Sequence, residues 1–188
     1  VNLTNLHYFI IRNNNIVGNI FTGIGNLQNL TVLDLSNNQI EGIIPQEIGN
    51  LAILEYLNLR ENELSGIIPE SIGNLINLEY LSMRDNELIG SIPSTIGNLV
   101  NLEKIYLYNN QLTGELPNSI ENLVNLVELY LYDNMFYGSI PNSIGNLVNL
   151  NSLDISDNYF SGIISSNICN QGDMTPNLNN NNLCPPYP

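Results

Sequence analysis

Apolar positions along the chain recur with a fixed step. Leu6, Leu30, Leu54, Leu78, Leu102, Leu126 and Leu150 stand 24 residues apart. Asn14, Asn38, Asn62, Asn86, Asn110, Asn134 and Asn158 keep the same step, as do Gly18 to Gly162 and the prolines at 45, 69, 93, 117 and 141. The shared unit reads L-x-x-L-x-L-x-x-N-x-[IL]-x-G-x-[IL]-P-x-x-I-G-N-L-x-N. Self-similarity at this period predicts a solenoid of stacked coils. Seven units run from Leu6 to about Asp173, so residues 1–173 are expected to form the solenoid and 174–188 a capping tail.

Each column of the repeat predicts local structure. Pairs such as Leu33-Asp34-Leu35 alternate with the period of a half-buried strand. Stacked coils set such strands side by side in a parallel sheet, about 4.8 Å apart. The asparagine after the strand both donates and accepts, so it can satisfy backbone groups that a turn leaves unpaired. Glycine supplies freedom at a tight bend. Proline starts a short helical or 3₁₀ turn before P-x-x-I-G-N-L returns the chain to the next strand. The asparagine ladder is therefore expected to be structural.

Composition narrows the function classes. Thirty-six of the 188 residues are asparagine, and outside Asn179 to Asn182 their regular spacing speaks against a low-complexity segment. With 4 Lys+Arg against 18 Asp+Glu, the net charge of −14 argues strongly against a general nucleic-acid binder, which replaces counterions with cations. It also argues against docking on an anionic membrane. No stretch reaches the roughly 20 apolar residues of a bilayer span. Val1 opens in the middle of the pattern, so no leader peptide is expected in this stretch.

The unit resembles the leucine-rich repeat family. Its G-x-[IL]-P segment, as in Gly66-Ile67-Ile68-Pro69, is similar to the plant-type extracellular repeat of receptor-like-kinase ectodomains and polygalacturonase-inhibiting proteins. Five complete units from Leu30 to Asn149 carry the resemblance. It implies an α/β solenoid: a right-handed superhelix with a concave parallel sheet and short 3₁₀ or helical convex segments. It also implies partner binding on the concave face and an extracellular, secreted or cell-surface location. The ends depart from the pattern. Phe21 and Ser165 replace proline, and Cys169 replaces glycine. Cysteine arithmetic then favours a Cys169–Cys184 disulfide folding the tail over the last coil, with two free thiols or a metal pair lacking further ligands as the alternatives.

If L-x-L faces inward, the residues around it form three outward columns. The first is Tyr8, Val32, Tyr56, Tyr80, Lys104, Glu128, Ser152, and the second is Ile10, Asp34, Asn58, Ser82, Tyr106, Tyr130, Asp154. The third is Arg12, Ser36, Arg60, Arg84, Tyr108, Tyr132, Ser156. These 21 positions hold all four cationic residues and seven of the ten tyrosines, far more than random placement collects. The densest part is Tyr56, Arg60, Tyr80, Arg84, Lys104, Tyr106, Tyr108, Tyr130 and Tyr132. Rigid amphipathic rings beside arginine donors are the composition of binding hot spots. Tyrosine also suits strand surfaces in its own right, and Arg60 and Arg84 could simply pair with Glu61 and Asp85.

The expectation is a non-enzymatic recognition module for a protein, peptide or glycan. An alternative is a structural protein stacking end to end into filaments or a surface layer. A binder of a regular solid such as ice or cellulose fits poorly, because Ile43, Ile67, Ser91, Glu115, Ser139 and Ile163 make an irregular row. No cofactor or metal is expected. Glu128 and Asp154, on adjacent predicted strands, are at most a formal acid/base pair. Asn2 and Asn29 open glycosylation sequons at a near-chance frequency for so many asparagines.

Overall fold

The computed structural model describes every residue except 1, 2, 4, 167, 169–174 and 185–188. Each coil contributes two short strands. They are β1 (Tyr8–Ile10) and β2 (Val17–Asn19), β3 (Val32–Asp34) and β4 (Gln39–Ile43), then β5 (Tyr56–Asn58) and β6 (Glu63–Ile67). There follow β7 (Tyr80–Ser82) and β8 (Glu87–Gly90), β9 (Lys104–Tyr106) and β10 (Gln111–Gly114), and β11 (Glu128–Tyr130) and β12 (Met135–Gly138). The series ends with β13 (Ser152–Asp154), β14 (Tyr159–Ile163) and β15 (Asn182–Cys184).

The odd-numbered strands β1 to β13 form one parallel sheet of seven in sequence order, the concave face of a right-handed solenoid. Its register equals the repeat: Tyr56 sits beside Tyr80, Leu57 beside Leu81 and Asn58 beside Ser82. The remaining strands form a second parallel sheet of eight. The sequence reading gave that stretch only a bend. Its glycines do adopt the left-handed region, as at Gly66 with φ 74°, but inside a strand. A Cβ there would stand 2.9 Å from Ile43 Cγ2, so glycine lets the two strands close up. Past the second sheet, each proline leads into a one-turn 3₁₀ helix such as Gln46–Asn50, where the Ile48 amide donates to the Pro45 carbonyl at 3.1 Å.

The core is one continuous column of leucine and isoleucine. Each coil adds the same set; Leu54, Leu57, Leu59, Leu64, Ile72 and Leu75 are wholly shielded from solvent. A fully buried side chain of this kind stabilises by roughly 1.5–3 kcal/mol. Phe136 and Phe160 stack in this column at 6.1 Å.

The asparagine column ties coil to coil. The Asn62 amide nitrogen donates to the carbonyls of Leu35, Leu59 and Arg60, each at 3.1 Å. Its oxygen accepts the Ile40 amide at 3.0 Å. Asn38, Asn86, Asn110, Asn134 and Asn158 repeat this set one coil apart, while the Asn14 side-chain amide donates to the Ile11 and Arg12 carbonyls of its own coil. The residue before each one takes a left-handed turn, from Asn37 (φ 56°) to Asp157 (φ 53°). Asparagine and aspartate tolerate that conformation, and Glu61 is the exception among them.

The tail adds material to both sheets. Asn177 bridges Asp154 in parallel fashion, and β15 pairs with β14. Asn181 repeats the asparagine pattern, donating to the Ile155 and Leu178 carbonyls at 3.0 and 3.1 Å. Cys169 of the expected disulfide lies outside the described residues; Cys184 is an exposed, free thiol in this structure.

Candidate functional site

The three outward columns do not lie equally open. The middle column is open at Ile10 but roofed over on the next three strands: Asp34 and Asn58 are 3% exposed and Ser82 is fully buried. Small residues there let rings of the first column lie down across the sheet. Tyr56 and Tyr80 stack face to face at 4.3 Å, and the Asn58 amide donates to the Tyr56 hydroxyl at 3.2 Å. Tyr80 meets Tyr106 edge-on at 5.6 Å, and Tyr106 lies 5.3 Å from Tyr130. Four rings from four strands thus form one diagonal path, reinforced by offset and edge geometry. In the third column Tyr108 and Tyr132 stack at 4.3 Å.

The cations are held by carboxylates of the same face. Arg84 binds Asp85 and spans to Glu61 of the preceding coil at 2.8 Å, with its guanidinium 5.2 Å from the Tyr108 ring centroid. Burial opposes its charge, but Tyr108, Asp85 and Glu61 outweigh that and hold its pKa above the ordinary value. Lys104 binds Glu128 at 2.6 Å, and Tyr106 donates its hydroxyl to the other Glu128 oxygen. Partial burial works against the Glu128 anion, yet these two donors bring its pKa below the usual range. The Glu128 hydrogen bond raises that of Lys104. Arg60 is held more loosely, with Nε 3.8 Å from Glu61 and no hydrogen-bond partner for that buried nitrogen. Arg12 lies 3.9 Å from Asp34.

The pairing of arginine with neighbouring carboxylates, weighed in the sequence as the plainer alternative, is thus what the geometry displays for Arg84. Glu128 and Asp154 do not face each other as an acid/base pair. Glu128 is clamped as above, while Asp154 accepts from Ser156 at 2.6 Å and Asn177 at 3.0 Å.

Two further ladders escaped the sequence reading. Asn77, Asn101, Asn125 and Asn149 each donate to the carbonyl 25 positions earlier, at 2.8, 3.0, 2.9 and 2.8 Å. Ser71, Thr95 and Ser119 do the same through hydroxyls at 2.7 Å. The signal for the first ladder is the last asparagine of N-L-x-N; that for the second is a Ser or Thr two residues after Pro69, Pro93 and Pro117.

Family models agree with this architecture. A leucine-rich repeat region model matches residues 63–170, and a leucine rich repeat model matches 4–64 and 29–88. Among curated proteins no sequence matches the chain. The solved plant peptide hormone receptor RGFR1 in complex with RGF2 is 37% identical with a TM-score of 0.92, over 96% of this chain and 29% of its own. The Arabidopsis receptor kinase HAESA, in complex with the peptide hormone IDA and the co-receptor SERK1, is 34% identical with a TM-score of 0.89. That match covers 95% of this chain and 30% of the receptor. A plant ice-binding protein is 27% identical with a TM-score of 0.71, over 95% of this chain and 74% of its own. The chain thus spans less than a third of the receptor structures it matches. It belongs to the leucine-rich repeat family, of the plant type found in receptor-kinase ectodomains.

Proposed function

We propose that the chain is a non-enzymatic recognition domain, extracellular or at the cell surface, whose concave face binds a protein or peptide. The fold alone does not choose, since its neighbours include both hormone receptors and an ice-binding protein. The observation that carries the reading is the six-tyrosine platform, which crosses four adjacent strands and is fixed by mutual ring packing. At normal strand spacing it is about 15 Å wide, the reach of a short extended peptide. Rings already locked in place lose little side-chain freedom when a ligand covers them. Tyr56, Tyr80, Tyr106, Tyr108, Tyr130 and Tyr132 supply the contact area in this reading. Arg60, Arg84 and Lys104 hold the polar frame. Two receptor neighbours are seen with peptide hormones, which favours a peptide over a sugar. No helix among the described residues is long and apolar enough to cross a membrane.

The test is an affinity selection from a random-peptide phage library against the whole chain. Enriched peptides are expected to bind a Tyr106→Ala/Tyr108→Ala variant at least about tenfold more weakly, the usual loss for hot-spot rings. The variant's circular-dichroism spectrum should match the parent's. Peptides that bind parent and variant alike would place recognition elsewhere and sink the reading.

A further inference from the structure

The charge pattern around the platform goes further than the platform itself. We propose that its ligand is a cationic, extended peptide, whose lysine or arginine side chains reach carboxylates on the platform's rim. This rests on the recognition function above and adds the ligand's charge.

In the sequence the arginines stand out as donors on this face. The structure shows Arg84 and Lys104 already engaged. Arg84 is shared between Glu61 and Asp85, and Lys104 is bound to Glu128. An anionic ligand would have to displace carboxylates already in place, against the raised charge preference of Arg84 and Lys104. The carboxylates of the rim are in the reverse position. Glu55, Glu79 and Glu103 precede β5, β7 and β9 as an exposed row, one coil apart, and form no ion pair among the described residues. Asp133, exposed beyond the other end of the β11 segment, forms none either.

Counting the three columns and their two flanks, ten carboxylates face four cations. The surplus is local as well as global, so the face carries a net negative formal charge, which favours the approach of a cation. Ring faces add to this, because a cation above a tyrosine is drawn by its quadrupole. Of the stacked pair, Tyr108 already carries the Arg84 guanidinium beside it, so Tyr132, followed in the chain by the exposed Asp133, is the ring left to a ligand cation.

Dimensions agree. From Glu55 to Glu103 is two coil steps, about 10 Å at normal strand spacing. An extended peptide laid along the solenoid axis, with basic residues at every second position, keeps each within side-chain reach of that row. Its intervening residues then lie against the rings.

Two fluorescein-labelled octapeptide pools test this, identical except that four alternate positions are lysine in one and glutamate in the other. Binding is read by fluorescence anisotropy at low and high salt. The proteins are the whole chain, Glu79→Gln/Glu103→Gln, Tyr108→Ala/Tyr132→Ala, and Glu70→Gln/Glu115→Gln, the last removing equal charge from exposed positions off the concave face. The lysine pool should bind the parent and weaken about fivefold with the rim variant, as two partly screened ion pairs allow. It should also weaken with the tyrosine variant, weaken with salt, and bind the Glu70/Glu115 variant as it binds the parent. A glutamate pool that binds better, and loses binding with the tyrosine variant, would leave the recognition reading standing and overturn the cationic ligand. A lysine pool that loses equally in both glutamine variants would reflect net charge alone and overturn it too. Failure of both pools would count against recognition itself.

Discussion

Burying a phenol disfavours its anion, and the platform does this to three of its rings. Partial burial, then the neighbouring Tyr80 and Asp34, push the Tyr56 hydroxyl up to about 12. Burial and the Glu128 carboxylate raise Tyr106 further, and burial with Tyr108 raises Tyr132. Because the folded values are raised, the associated stability is fully present below the ordinary tyrosine pKa, about 10, and is lost as pH climbs through the folded values. An ultraviolet titration of tyrosinate should therefore show Tyr56, Tyr106 and Tyr132 ionising only above the ordinary tyrosine pKa, and unfolding in guanidinium should abolish that delay. All ten titrating together near the ordinary value would show that the rings do not pack as described. This residue-scale behaviour was beyond the sequence. The columns were legible, but not that Asn58 and Ser82 are small enough for Tyr56 and Tyr80 to lie over them.

At the scale of the element, the 3₁₀ turns show why glycine recurs in P-x-x-I-G. A Cβ at Gly97 would stand 2.5 Å from the Ser119 carbonyl of the next coil, and one at Gly25 2.5 Å from the Glu47 carbonyl. The turns pack backbone to backbone, and hydroxyls of Ser71, Thr95 and Ser119 bond across each step. Glu121 breaks the column, and there the series stops: Ser143 Oγ is buried without a partner. A side chain at the glycine position explains the lost bond, since it must hold adjacent turns apart. Gly97→Ala should therefore cost about 1–3 kcal/mol, the range for overpacking, read as a lower urea midpoint at unchanged slope. Glu121→Gly should stay within about 1 kcal/mol of the parent, a regained hydrogen bond offsetting glycine's entropy. An alanine variant as stable as the parent would refute the close-packing account. The strands of the concave sheet were plain in the sequence because L-x-L alternates. The second sheet was not, because its glycines sit at positive φ, which reads as a turn until the partner strand is seen.

At the scale of the molecule, one number organises everything: register on the concave sheet equals the sequence period, so columns read from the repeat become columns in space. That made the tyrosine and arginine positions legible before any coordinates. Contacts between coils were not, because Arg84 reaches Glu61 at a distance of 23 residues and either rotamer suits the pattern. The same equality predicts how the molecule tolerates surgery. Coils contact only their neighbours, through equivalent leucine, asparagine and hydroxyl columns, so stability is close to a sum over coils and interfaces. Deleting residues 30–53 joins Asn29 to Leu54 and restores every column, and deleting 78–101 joins Asn77 to Leu102 with the same result. Both shortened chains should unfold cooperatively, with midpoints only modestly below the parent's. Deleting residues 30–41 instead puts leucines out of phase with the core, and that chain should not fold. Binding separates the first two. Deletion of 30–53 spares all six platform tyrosines, so peptides selected on the parent should still bind. Deletion of 78–101 removes Tyr80 and Arg84, cutting the diagonal from Tyr56 to Tyr106, and those peptides should be lost. If the second deletion keeps full affinity, the concave face is not the site. If the first deletion fails to fold, the coils are not the interchangeable units that their shared columns make them.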